Sequence, residues 1–335
     1  MPRHGSGIVH IHRALINKEF IVDSLIFSLN STIPIFLIMI FGYILMRVGF
    51  FTEEFTRVAD KYVFKVGLPV LLFQQISTAD IHSDFDIRFV LFCMITTTVM
   101  FGTIWGLSHI FLKDKRMVGA FTQGSARGSA AILGIAFIEN IYGSSGMGPL
   151  MIISSIPLYN IYSVIILSFS SSNNAGKKGA IKNALLNIAK NPIIWGILLG
   201  LPFSILGIEM PPICTKTVSL IAQTATPVAL LVVGATFKGR QAIKKLAPTS
   251  VATFIKLIGL PLIFLPVAYW LGFRNEALVA IIVMLGSPAT VTGYIMAKNM
   301  GNDEVLSSSI IVLSTLLSSV TLTLWVFVMR SMGWI

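Results

Sequence analysis

Apolar positions along this chain gather into long runs, each close to the roughly 20 residues that carry a helix across about 30 Å of hydrocarbon. The runs fall at residues 25–46, 58–78, 89–112, 117–141, 147–171, 192–208, 214–237, 248–272, 277–299 and 305–330. They are separated by short polar segments and show no alternation of apolar and polar positions. They are also much longer than barrel strands. Helices satisfy their own backbone in lipid whereas open strands do not. The pattern therefore predicts an all-α polytopic membrane protein with ten transmembrane helices and no separate soluble domain.

Composition agrees. Of 335 residues, 55% are hydrophobic and 12% charged, and the mean hydropathy is +0.83, outside the range of water-soluble domains. The net charge of +11 does not point to nucleic acid, because Lys and Arg sit in the short loops that set membrane orientation. One side would carry Arg47, Arg57, Lys61, Lys113, Lys115, Arg116, Lys177, Lys178, Lys182, Lys190, Lys238, Arg240, Lys244, Lys245 and Lys298. The other would hold Arg3, Arg13, Lys18, Arg88, Lys216, Arg274 and Arg330, beside an acidic loop with Asp80, Asp84 and Asp86. This asymmetry predicts both termini outside and a cytoplasmic basic linker over 172–190. Cys93 and Cys214 lack the spacing of a zinc site or a disulfide framework. Residues 1–22 have no signal-peptide core and read as an extramembrane tail, whose His4, His10 and His12 lack an acid or cysteine to complete a metal site. No metal or other cofactor is called for.

Sliding the chain along itself by 158 residues aligns Pro34 with Pro192, Gly42 with Gly200, Gly49 with Gly207 and Pro69 with Pro227. The same shift places Gly128 and Ser129 on Gly286 and Ser287, and Gly143 on Gly301. Proline and glycine matches at one constant offset mark a repeat. Each half, 23–171 and 191–331, holds five spans, an odd number, so the second must enter the membrane from the opposite side. Two inverted five-helix repeats form a common plan of secondary transporters, with the site where discontinuous helices cross near mid-membrane.

Two spans have the composition for such a break. Span four contains TQGSARGSAAILG, residues 122–134, and span nine contains LGSPATVTGYIMAKNMG, residues 285–301. Small residues and Pro288, which has no N–H, let a helix open, although they also serve close helix packing. The candidate substrate contacts here are Arg127, Gly128, Ser129, Ser287, Pro288, Thr290 and Thr292. Three basic residues lie deep in the predicted spans: Lys65, Arg127 and Lys256. No Asp or Glu lies comparably deep, so an anionic cargo would supply the missing charge. Each lysine could equally snorkel to an interface or bond to a broken-helix carbonyl. Arg127 is placed best, with a fork suited to a carboxylate. Gln74, Gln75 and Gln223 add polar contacts or interhelical bonds.

These segments resemble the auxin efflux carrier family, which includes malonate and malate transporters and auxin exporters. The likeness lies in FGYILMRVGFFTEE (residues 41–54), KVGLPVLLFQQIS (65–77), RGSAAILGIA (127–136), NPIIWGILLG (191–200) and SPATVTGYIMAKNMG (287–301). It implies ten spans, crossing broken helices four and nine, carboxylate substrates, a cell (inner) membrane location and a homodimer. The sequence departs from the family pattern in span four, where Ser129 stands for asparagine, Ala131 for glycine and Ala136 for proline.

The reading that follows is a secondary transporter of a small mono- or dicarboxylate, malonate-, malate- or auxin-like, working by alternating access. Coupling to H⁺ or Na⁺ stays open. The alternatives are a sodium-coupled organic-anion symporter of bile-acid type and a membrane sensor that binds without transport. An embedded enzyme is disfavoured, since the chain has no HExxH, no GxSxG and no buried acid pair, and His109 has no evident partner. The expected partners are the small organic anion and membrane lipid, without nucleic acid.

Overall fold

A backbone without access to water must pair its polar groups within the chain, and here it does so through helices. A computed structural model describes residues 22, 26, 29–30, 33–78, 86–130, 137–138, 141–142, 147–171 and 180–335, and among them there is no strand, only one isolated bridge. The N-terminal histidines, Asp80 and Asp84, Ala131, Ala136, Gly143 and the lysines at 177 and 178 lie outside the described residues.

In chain order the helices are α1 (Ile33–Arg47), α2 (Glu53–Tyr62), α3 (Leu68–Ser77), α4 (Ile87–Phe111), α5 (Arg116–Ala126), α6 (Gly148–Ser170), α7 (Ala180–Ala189), α8 (Pro192–Leu206), α9 (Pro212–Ala235), α10 (Gly239–Lys244), α11 (Leu246–Phe254), α12 (Leu260–Trp270), α13 (Glu276–Gly286), α14 (Val291–Asn299) and α15 (Glu304–Ser331). Single π turns, Val63–Gly67 and Ile255–Gly259, join α2 to α3 and α11 to α12. Among the described residues five helices are long and apolar enough to cross a membrane: α4, α6, α9, α11 continued into α12, and α15. They coincide with the spans predicted at 89–112, 147–171, 214–237, 248–272 and 305–330. Of the remaining predicted spans, 58–78 and 277–299 fall on interrupted helices and 192–208 on a shorter one, while 25–46 and 117–141 lie only partly within the described residues. Large side chains such as Leu37, Ile95, Leu199, Leu220 and Leu262 are exposed, an outer surface suited to hydrocarbon rather than water. The chain is an integral membrane protein.

Local chemistry explains the helix ends. The Asp86 carboxylate accepts from Arg88 N (2.9 Å) and Phe89 N (3.3 Å) at the start of α4. Asn191 Oδ1 accepts from Ile193 N (2.9 Å), with Pro192 at the first helical position of α8. Both satisfy donors that a helix start leaves free. Gly207, at φ 62°, ends α8 in the left-handed conformation that glycine adopts without penalty.

Helix α3 packs chiefly against α8 and also against α9, while α4, α5, α6 and α11–α15 pack among themselves. Glycines set the approach of the first group. A Cβ on Gly42 would lie 2.3 Å from Leu231 O, and one on Gly200 would lie 3.0 Å from Phe73 O. The shift of 158 residues exchanges these two contacts, taking 42 to 200 and 73 to 231. Gly67 meets Ala225, its own counterpart under the same shift.

Candidate functional site

Helix α5 stops at Ala126, and Arg127 follows in an extended conformation, φ −82° and ψ 122°. Helix α13 stops at Gly286, and Ser287 is extended as well, φ −68° and ψ 154°. Pro288 has no N–H with which to continue the helix. The two openings meet: Gly128 bridges Ala289 in antiparallel fashion, and Ser129 N donates to Pro288 O (2.9 Å). Ala289 N donates to Ser314 Oγ (3.1 Å) on α15. Thr290 then caps α14, its Oγ1 accepting from Gly293 N (3.2 Å). The first chain turns helical again at Ala130. Gln123 Nε2 donates to Gly293 O (2.7 Å) and ties α5 to α14. A side chain at 128 would have to displace its neighbours, since its Cβ would lie 2.3 Å from Ser287 Oγ and 2.8 Å from Lys256 Nζ.

The crossing has two chemically different sides. On one side Lys256, fully buried and carried on the second π turn, donates to Ala126 O (3.1 Å), Met284 O (3.2 Å) and Leu285 O (2.7 Å). Those carbonyls belong to the last turns of α5 and α13, which have no intrahelical donors of their own. Tyr159 Oη also donates to Met284 O (3.0 Å). Of the roles open to Lys256 in the sequence, cargo contact, snorkelling and bonding to a broken-helix carbonyl, the last is the one it takes, and it does not line the cavity on the other side of the crossing.

On the other side lies a cavity of about 100 Å³, room for several waters or a small molecule. Its floor is Arg127, Gly128, Ser129, Thr290, Val291 and Thr292, and its opposite wall is Leu68, Leu71, Leu72 and Gln75 of α3 with Ala225, Thr226 and Ala229 of α9; Ile156 and Tyr159 complete the lining. Arg127 is buried and donates from Nη1 to Met296 Sδ (3.1 Å). None of the ion pairs among the described residues includes it.

Six of the sequence-predicted residues therefore come together on this cavity: Gln75, Arg127, Gly128, Ser129, Thr290 and Thr292. Ser287 and Pro288 belong to the crossing but do not line the cavity, and the Ser287 hydroxyl is buried without a hydrogen-bond partner. Lys65 is exposed on the first π turn, and Gln223 is exposed and bonded to Ser219 Oγ (3.0 Å). Gln74 lies away from the cavity, whereas its neighbour Gln75 lines it. Tyr159 and Thr226 are not singled out by sequence, for each stands among other polar residues, Asn160 and Tyr162 in one case and Gln223 and Thr224 in the other, with nothing to mark it. Among the described residues no group of three or more His, Cys, Asp or Glu could hold a metal.

Outside the cavity lining, polar links join α14 and α15 to α2 and to the turn between α9 and α10. Lys298 of α14 pairs with Asp60 of α2 (3.3 Å), Lys238 with Glu304 of α15 (3.0 Å), and Tyr294 Oη with Thr236 Oγ1 (2.6 Å). Lys245 pairs with Asp303. In the turn between α4 and α5, hydrogen bonds from Arg116 hold the Asp114 carboxyl below the usual carboxylate range.

A family described as "Membrane transport protein" matches residues 27–326 of this chain. The match takes in both halves of the crossing and every residue of the cavity. The chain belongs to the auxin efflux carrier family. This carrier is 28% identical over 313 residues to "Uncharacterized transporter YfdV" of Escherichia coli, spanning 91% of this chain and 99% of the relative. It is 25% identical over 303 residues to an "Uncharacterized transporter" of Methanothermobacter thermautotrophicus, spanning 89% and 97%. A third relative, named "Putative malonate transporter", from Rhizobium meliloti, is 24% identical over 306 residues, spanning 89% and 95%.

Proposed function

We propose that this carrier moves a small mono- or dicarboxylate across the cell (inner) membrane by alternating access, with the cargo held between Arg127 and the start of α14. The observation that carries this reading is a buried guanidinium facing a cavity with no carboxylate paired to it among the described residues. A buried charge without a partner is costly, and a carboxylate cargo would supply the partner in two-point geometry. The N-terminus of α14 adds the positive end of a helix dipole on the same wall. Gly128, Ser129, Thr290 and Thr292 offer small polar contacts; Lys65, Gln74 and Gln223 have no part in this version of the site. The malonate named for the Rhizobium relative is a compatible dicarboxylate.

The architecture belongs to the same proposal: ten spans in two inverted halves, 23–171 and 191–331, joined by the linker at 172–190, with both termini outside. Support comes from the paired breaks at 127–129 and 287–290 and from the exchanged contacts of Gly42 and Gly200. The cavity lies between the α3–α9 wall and the crossing, the boundary across which such a carrier would move.

Flux of radiolabelled carboxylates into proteoliposomes, with and without a sodium or pH gradient, tests the reading. Saturable uptake of at least one small carboxylate is expected. Saturable binding without flux under every gradient would instead make the protein a sensor.

A further inference from the structure

We propose that Lys256 is a tethered cation, standing where a crossing of two helix C-termini would otherwise draw a free monovalent metal ion, and that it makes this crossing independent of sodium and potassium. The consequence for coupling rests on the carrier reading above; the placement of the charge does not.

A helix C-terminus carries about half a negative charge together with carbonyls that lack donors. At this crossing two such ends, those of α5 and α13, converge inside the protein away from water. Carbonyls concentrated in this way form an oxygen-lined cation site of the kind that broken helices supply in secondary transporters. Here the position is filled. The ammonium has three donors, and three carbonyls lie at 2.7–3.2 Å from Nζ, so no donor is left for a ligand. None of the ion pairs among the described residues includes Lys256, which leaves the converging helix ends as its counter-charge.

The surroundings fit this one occupant. The π turn Ile255–Gly259 carries the lysine inward, and Gly128 gives the space, because a Cβ there would lie 2.8 Å from Nζ and 3.1 Å from Cε. Ala126 O, one of the three acceptors, belongs to the residue before Arg127. Holding it fixes the chain direction from which the Arg127 side chain departs into the cavity. Lys256 is thus a positioning residue for Arg127 rather than a contact for cargo. A free ion could leave during the cycle and drive transport; a covalently held one cannot.

The test is thermal unfolding of the purified protein without substrate, in equal concentrations of sodium, potassium, ammonium, n-propylammonium or choline chloride. The wild type should unfold at one midpoint in all five. Lys256→Ala should unfold roughly 5 °C or more lower in choline, with most of that loss recovered in ammonium, n-propylammonium or potassium. Lys256→Met, which fills the space without charge, should be lowered and recovered by none. A sodium- or potassium-specific rise in the wild-type midpoint would overturn the proposal, and that arm holds even if the variants cannot be purified. Lys256→Ala equal to wild type in choline, or lowered and recovered by no cation, would overturn it as well. Absence of carboxylate flux would strike the transport reading and leave these midpoints untouched.

Discussion

The two sides of the helix crossing use the same kind of residue to opposite effect. Lys256 is a buried cation whose donors all meet backbone carbonyls. Arg127 is a buried cation beside it in the fold that donates to the Met296 thioether and whose fork borders a cavity. The first has every donor engaged within the protein; the second, on the proposed reading, is completed by a carboxylate. A broken helix pair exposes carbonyls at one end and amides at the other, so one crossing can hold a structural charge and a recognition charge without the two competing for partners.

Arg127→Gln is expected to give the largest separation of the two sides. Losing one partner of a desolvated charge pair costs about 2–5 kcal/mol, so carboxylate affinity should fall roughly 100-fold, read by binding to the detergent-purified protein, while the unfolding midpoint stays near wild type. Undiminished affinity would remove Arg127 from the site. Gly128→Ala should strike both sides together, because its Cβ collides with Ser287 Oγ and Lys256 Nζ. Overpacking of this kind costs about 1–3 kcal/mol, visible as a lower midpoint and as weaker binding; a silent Gly128→Ala would mean the crossing is looser than its distances.

Tyr159→Phe removes one of the two donors to Met284 O and should destabilise by about 1 kcal/mol. Its effect on binding should be smaller than that of Arg127→Gln, since the hydroxyl is engaged away from the cargo. Thr290→Ala removes the cap of α14 and should lower stability by about 1 kcal/mol, measured as a shift in midpoint. The smallest effect is expected outside the crossing. The Asp114 carboxyl is held low by Arg116, so its contribution is present above the ordinary carboxylate range and fades as pH falls through the lowered value. Wild type and Asp114→Asn should therefore differ slightly near neutrality and converge in acid, in a pH series of unfolding midpoints.

Much of this was legible in the sequence because proline and glycine speak directly about backbone. The Gly-Ser pairs at 128–129 and 286–287 marked the crossing, and the apolar runs located α4, α6, α9 and α15 within a few residues of their ends. Arg127 stood out as a charge inside a break. The partners of Lys256 could not be read, because they are backbone carbonyls and any residue type supplies one. Lys65 shows a different limit. It looked as deep as Lys256 by position along its span, yet it is exposed. In a protein whose lipid face and interior are both apolar, hydrophobicity gives depth but does not say which way a helix face turns.

The contact between Gly67 and Ala225 has a use as a ruler. Under the inverted reading these two residues exchange places when the halves exchange shapes, so their separation is the same at either end of the cycle. Distances across the α3–α9 wall elsewhere would lengthen and shorten in turn. A probe pair seated there would report a fixed length against which every moving distance in this carrier could be calibrated.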